Sequence, residues 1–257
     1  MPKKRKIDPF QEFTAVVRRL RKECPWDREQ THESIRHSLI EETYEVIEAI
    51  EEKNSDELKR ELGDLLLHIV LHSVMAEEEQ TFSLRDVLTS ATEKMIRRHP
   101  HVFGSAVADT AHDVKRNWEH IKLTEGRTSI IDGVPKKMPA LLRALRIQEK
   151  ASKVGFDWKK KRDVWNKVTE EIIELAGAER SRKQRRIDEE FGDLLFALVN
   201  YSRFLGVNPE FALHGAIKKF SSRFRHVEDE LRRRGKRPGT VPLKEMDAIW
   251  EERKKKE

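Results

Sequence analysis

The chain has 257 residues, 38% of them charged and 37% hydrophobic, with a net charge of +6 and a single cysteine, Cys24. One cysteine excludes an intrachain disulfide and points to a reducing compartment, the cytoplasm. No apolar run reaches the roughly 18 residues of a membrane span, since the best, Leu65 to Leu71, is interrupted by His68.

Taken in order, Phe10, Phe13, Val16, Val17 and Leu20 recur at three and four and predict a helix over 10–23. Cys24-Pro25-Trp26-Asp27 breaks it, because proline cannot continue a helix. Thr31 is read as the cap of a second helix running to about Glu52, and Ser55 or Asp56 as the cap of a third ending near Glu79. Further helices are predicted from Leu84 to Arg98, ahead of Pro100, and from Asp113 to Lys122. Gly126, Gly133, Pro135 and Pro139 mark a linker. Beyond it, helices are predicted from Met138, over 161–180, 184–205 and 209–234, and from Leu243. No alternating run requires a strand, so the expected fold is all-α. It is read as two tandem helical-bundle repeats, 1–125 and 138–257, joined by a 126–137 linker.

The repeat is read from its acids. Glu41-Glu42-Thr43-Tyr44-Glu45 is followed after fifteen residues by Glu61-Leu62-Gly63-Asp64. Glu170-Glu171-Ile172-Ile173-Glu174 is followed after fifteen by Glu190-Phe191-Gly192-Asp193, so every acid recurs at an offset of 129. Lys94, Arg98 and His101 recur as Lys219, Arg223 and His226, and Trp118 as Trp250.

Residues three or four apart share a helix face. Two such helices packed antiparallel would converge four or five carboxylates in each half. Carboxylates so placed repel and raise one another's pKa unless a cation joins them. Oxygen-only donors suit Mg²⁺, with Mn²⁺ as a substitute, and Mg²⁺ bridges readily to phosphate oxygens. Lys219 with Arg223, and Lys94 with Arg98, lie four apart and could clamp phosphate. Trp250 and Trp118 could stack on a base. Each of these alone is commonly surface or core; recurrence favours the site.

Asp64, His68 and His72 also share a face, as a transition-metal site would require. Their counterparts include Ala197 and Tyr201, so the shared chemistry does not need those histidines. Cys24 has no activating neighbour beyond Lys22. The basic start Pro2-Lys3-Lys4-Arg5-Lys6 reads as a solvated tail, and nucleic acid is not the expected partner.

The two acidic signatures, with Cys24-Pro25-Trp26-Asp27, Arg98-His99-Pro100-His101-Val102-Phe103, Val154-Gly155-Phe156-Asp157-Trp158 and Lys219-Phe220-Ser221-Ser222-Arg223, resemble the tandem MazG nucleoside triphosphate pyrophosphohydrolases. The resemblance implies Mg²⁺-dependent hydrolysis of (deoxy)nucleoside triphosphates to monophosphate and pyrophosphate, broad base tolerance, nucleotide-pool house-cleaning and a homodimer. By matching positions it implies Glu171, Glu174, Glu190 and Asp193 as metal ligands, with Glu42, Glu45, Glu61 and Asp64 in the first half. Glu170 and Glu41 would orient a water or a lysine. Lys219 and Arg223 would contact phosphate and Trp250 the base. The rival expectation is a non-catalytic nucleotide-sensing or partner-binding helical module.

Overall fold

The computed structural model describes residues 8–110, 113–114, 121 and 129–255. Among them the regular structure is helical throughout. The chain divides into two compact units, 1–118 and 119–257. Trp118, the basic tail at 2–6 and most of the helix expected over 113–122 lie outside the described residues.

In the first unit α1 (Pro9–Glu23) is started by Asp8, whose side chain accepts from the Phe10 amide, with Pro9 preset for the first turn. Pro25 opens the short α2 (Pro25–Glu29). The next helix does not begin at Thr31. Residues 31–37 form turns, and α3 covers Ser38–Glu51. Thr31 and Ser34 explain the delay. The Thr31 amide donates to Ser34 Oγ at 2.9 Å and the Ser34 amide to Thr31 Oγ1 at 3.1 Å, so side chains satisfy the backbone before a helix can.

Helix α4 (Ser55–Glu78) is capped by Asn54, which accepts from the Glu57 amide, rather than by Ser55 or Asp56. Helix α5 (Leu84–Arg98) starts from a reciprocal Ser83–Asp86 capping box. It ends at Arg98, ahead of Pro100 as expected, and Pro100 opens a further single turn, α6 (Pro100–Phe103). The core of this unit is Val17, Ile35, Val70, Leu71, Val74, Met75 and Leu84. Arg18 pairs with Glu77, and Arg21 with Glu78 at 2.9 Å, fastening α1 along α4.

The second unit repeats the plan with α7 (Ala140–Ser152), α8 (Lys161–Ser181), α9 (Gln184–Phe204), α10 (Pro209–Arg233) and α11 (Leu243–Lys254). Within the 126–137 segment read as a linker, residues 130 and 132 are held to α7. The Lys150 ammonium donates to the Ile130 and Asp132 carbonyls at 3.0 and 3.2 Å. Helices α10 and α11 pack through Val227, Leu231 and Ile249, with Met246 and Trp250 against them.

What positions the site is the same tight reversal in each unit. Lys53 sits at φ 55 after α3, and its counterpart Arg182 at φ 52 after α8. A left-handed residue there lets the chain double back within three residues, so α3 lies on α4 and α8 on α9. The Glu-rich faces thereby meet.

Candidate metal and phosphate site

In the second unit Glu170, Glu171 and Glu174 present carboxylate oxygens within 4.8 Å of one another, and so do Glu171, Glu190 and Asp193. Glu171 belongs to both groups and is 4% exposed, so it joins the acids of α8 to those of α9. In the first unit Glu42, Glu45 and Glu61 converge within the same distance. Asp64 stands close enough to Glu42 to raise its pKa. The hairpins thus gather the acids the spacing predicted, except that Asp64 and Glu41 reach the first cluster only through their charge on Glu42.

The electrostatics show unneutralised charge. Glu174 is pushed above the usual carboxylate range, first by burial, then by Glu171 and Glu190. Glu42 is raised by burial, then by Glu45 and Asp64. Glu61, 8% exposed, rises to about 7 because it shares a hydrogen bond with Glu57, is desolvated, and faces Glu45. Hard oxygen donors that destabilise one another in this way fit a divalent cation of the magnesium type.

The two cages differ in their cations. In the second unit the Lys167 ammonium lies 2.7 Å from Glu170 Oε1 and 2.6 Å from Glu171 Oε1, which raises its own pKa further. Glu170 is therefore spoken for by a lysine. Arg186 reaches Glu190 at 3.7 Å. At the matching positions the first unit has Ser38 and Glu57. One cation is missing and the other is replaced by an acid, which bonds to Glu61 instead of neutralising it.

The neighbouring face differs as well. Beside the second cage a cavity of about 460 Å³ opens among α7, α8, α9 and the 156–158 loop, with Glu171 and Asp193 on its wall. Arg203 donates to both carboxylate oxygens of Asp157, one bond at 2.8 Å, and so pins that loop to α9. The corresponding face of the first unit is closed. Leu71 stands where the second unit has Asn200, and Val74 where it has Arg203. Both are core residues packed with Val17 of α1.

Lys219 and Arg223 are on α10, which packs chiefly on α7 and α11. The Arg223 guanidinium sits 5.6 Å above the Trp250 ring, and Phe220 packs against the same indole at 5.2 Å. The groups that act on Glu174's charge are Glu171, Glu190, Lys167 and Glu170. Lys94 and Arg98 lie on α5, against α4. Of the histidines, His72 Nδ1 and His32 Nδ1 are 2.7 Å apart, with nearly coplanar rings. His68 is buried, with its Nδ1 unpartnered.

Sequence reasoning missed Lys167 and Arg186, although a signal existed. Lys167 precedes Glu170 and Glu171 by three and four residues, and Arg186 precedes Glu190 by four, the spacing of helical ion pairs. Asp157 with Arg203 had no such signal, being 46 residues apart.

The model of the MazG nucleotide pyrophosphohydrolase domain matches residues 30–103 and 160–228, which contain the two acidic hairpins. The chain is 46% identical over 250 residues to the nucleoside triphosphate pyrophosphohydrolase/pyrophosphatase MazG of Thermotoga maritima, covering 95% of both chains. It is 42% identical over 260 residues to the nucleoside triphosphate pyrophosphohydrolase of Escherichia coli K12, covering 98% of this chain and 99% of that one. An uncharacterized protein of Bacillus subtilis, YabN, is 43% identical over 254 residues, 96% of this chain and 52% of its own length.

Proposed function

The chain belongs to the MazG nucleotide pyrophosphohydrolase family, and from that premise we propose that it hydrolyses (deoxy)nucleoside triphosphates to monophosphate and pyrophosphate. Water adds across the anhydride between the α and β phosphorus atoms; the nucleoside monophosphate keeps the new oxygen and pyrophosphate departs. The observation that carries the reading is the convergence of Glu171, Glu190 and Asp193 beside a cavity large enough for part of a nucleotide.

Glu171, Glu174, Glu190 and Asp193 are the residues that would hold Mg²⁺, or Mn²⁺ in its place. When bound, the ion supplies charge neutralisation for the triphosphate and acidifies a water. The chain's own cations do the rest. Lys167 holds Glu170 and Glu171 in register, and Arg186 offers its guanidinium at the Glu190 edge. Lys219 and Arg223, propped on Trp250, are the proposed clamp for the departing pyrophosphate. The largely apolar cavity favours tolerance of several bases, as house-cleaning of a cytoplasmic nucleotide pool requires. Exposed Ile172, Ile173, Phe191 and Leu195 on the acidic hairpin support a homodimer in which a second copy covers them.

A second reading applies to the first unit. Its cage lacks both cations and its adjoining face is packed core, which favours a non-catalytic carboxylate module there. No helix among the described residues is long and apolar enough to cross a membrane.

The test is product analysis. The full chain is incubated with a deoxynucleoside triphosphate and Mg²⁺ and the products are resolved. Monophosphate with pyrophosphate supports the reading; diphosphate with inorganic phosphate overturns it.

A further inference from the structure

The connection from α7 to α8 displays an aromatic ring and a run of cations that the acidic cage does not use. Helix α7 is closed by a Schellman turn at Gly155, which sits at φ 89. The Phe156 amide donates to the Ala151 carbonyl at 3.2 Å, and the Gly155 amide to the Ser152 carbonyl at 3.1 Å. A hydrophobic residue at the Phe156 position of such a turn commonly folds back onto the helix it closes. Phe156 does not, and is 82% exposed. The backbone on its far side is also tied down. Arg203 donates to both carboxylate oxygens of Asp157, and the Trp158 amide donates to Asp157 Oδ1 at 2.9 Å. The ring is thus held out into solvent on a hydrogen-bonded support. Asp157, the only acid between 153 and 162, is already neutralised.

Directly after Trp158 come Lys159, Lys160, Lys161 and Arg162, all exposed. Among the described residues no carboxylate pairs with any of them. Other cations of α8 and α9 behave differently: Lys167, Arg185, Arg186 and Arg203 each reach an acid. Local helix energetics do not account for the run. Lys160 precedes α8 without a side-chain cap, and Lys161 and Arg162 stand in its first turn, where the helix dipole disfavours positive charge. At the matching positions the first unit has Gln30, Thr31, His32 and Glu33, so the run is not part of the duplicated scaffold. None of the four cations lines the cavity beside the second cage.

We propose that residues 156–162 form a binding surface for single-stranded nucleic acid, on which Phe156 stacks against an unpaired base while Lys159, Lys160, Lys161 and Arg162 neutralise backbone phosphates. An open aromatic face beside unneutralised cations suits an unpaired strand, since every base offers a ring and every nucleotide a phosphate. A duplex keeps its bases stacked away from Phe156. An anionic membrane calls for an amphipathic helix with a broad apolar face, and residues 156–160 form no helix. The surface is separate from the basic tail at 2–6 and does not depend on the hydrolase reading.

The experiment is fluorescence anisotropy. A labelled oligouridine is titrated with the full chain in chelator across a salt series, beside a duplex of matched length and vesicles containing phosphatidylserine. Four phosphate contacts on a single strand give an expected slope of about −3 in log affinity against log salt. Phe156→Ala weakens binding about tenfold and leaves the slope unchanged. Lys159→Gln combined with Lys160→Gln cuts the slope to about half. The wild type binds the single strand more tightly than the duplex. Circular dichroism of both variants matches the wild type, since the replaced side chains are exposed. Absence of binding by the wild type at low salt overturns the assignment. So does equal binding by the wild type and both variants, which would put the strand on other cations. Unchanged affinity in Phe156→Ala, with duplex and single strand bound alike, overturns it by leaving charge attraction without a base contact. Binding to the vesicles and not to oligouridine overturns it in favour of a membrane surface.

Discussion

Lys167 holds its ammonium 2.6 Å from Glu171 Oε1, and Glu171 is the acid common to both carboxylate groups of the second cage. The pair occupies a position where the first unit has Ser38 and Glu42. Replacing Lys167 with Met removes a cation bonded to two cage acids and takes from buried Glu171 its lysine partner. The lysine is partly exposed, so solvent screening limits the loss in metal-free protein to roughly 1 kcal/mol. Thermal denaturation with and without Mg²⁺ checks this. The metal-free variant melts lower, and the rise on adding Mg²⁺ is larger than in the wild type, because the cation then replaces the missing charge.

Replacing the proposed metal ligands is expected to separate the two units. Glu171→Gln or Asp193→Asn is expected to lower kcat/KM by a hundredfold or more, on the order of the loss of one preorganised electrostatic group. Glu42→Gln or Asp64→Asn in the first unit is expected to lower it by less than about threefold, under 1 kcal/mol of barrier. Steady-state pyrophosphate release by the four full-length variants decides it. Equal losses in both units would show that both cages turn over substrate.

The raised pKa of Glu61 makes the metal-free first unit sensitive to pH. Its carboxyl titrates near 7 in the folded chain, against an ordinary value of 4.5, because of Glu57, burial and Glu45. Between those values the folded state binds more protons than the unfolded state, so this group's contribution to stability falls as pH rises through the window. Glu61→Gln carries no such proton. The melting temperature of Glu61→Gln minus that of the wild type, measured in chelator, is expected to grow steadily from pH 4.5 to pH 7. His68 and His72, both held below their ordinary value chiefly by burial, act in the opposite sense but cancel in the difference.

Asp157 and Arg203 tie the 156–158 loop to α9 through two hydrogen bonds. Asp157→Ala leaves a half-buried guanidinium without its carboxylate and frees the loop that walls the cavity. A loss of about 2 kcal/mol in unfolding free energy is expected. With it comes a rise in KM larger than the fall in kcat, since the loop shapes binding and does not touch the anhydride. Denaturant titration and substrate-saturation curves read the two effects separately.

Most helices of this protein are legible without coordinates. The three-and-four recurrence of Phe10, Phe13, Val17 and Leu20 lies on α1, and Pro209 opens α10 as expected. Boundaries moved where side chains compete for backbone groups, as Thr31 and Ser34 do ahead of α3. Gly and Pro content gave no sign that Lys150 holds the Ile130 and Asp132 carbonyls inside the 126–137 segment, because that attachment depends on a residue distant in sequence.

By itself the sequence determined the acid clusters and their duplication: helical spacing puts Glu171 beside Glu174, and Glu190 beside Asp193, whatever surrounds them. Tertiary structure alone decided how the two copies differ in their surroundings. Leu71 and Asn200 occupy equivalent positions, yet only packing shows that one seals a core while the other lines a cavity. The unpaired oxygen of Gln148 likewise exists only because Phe196, 48 residues away, holds the other end of its amide. Local periodicity is encoded within a few residues; void space and hydrogen-bond satisfaction are sums over neighbours that only the folded chain brings together.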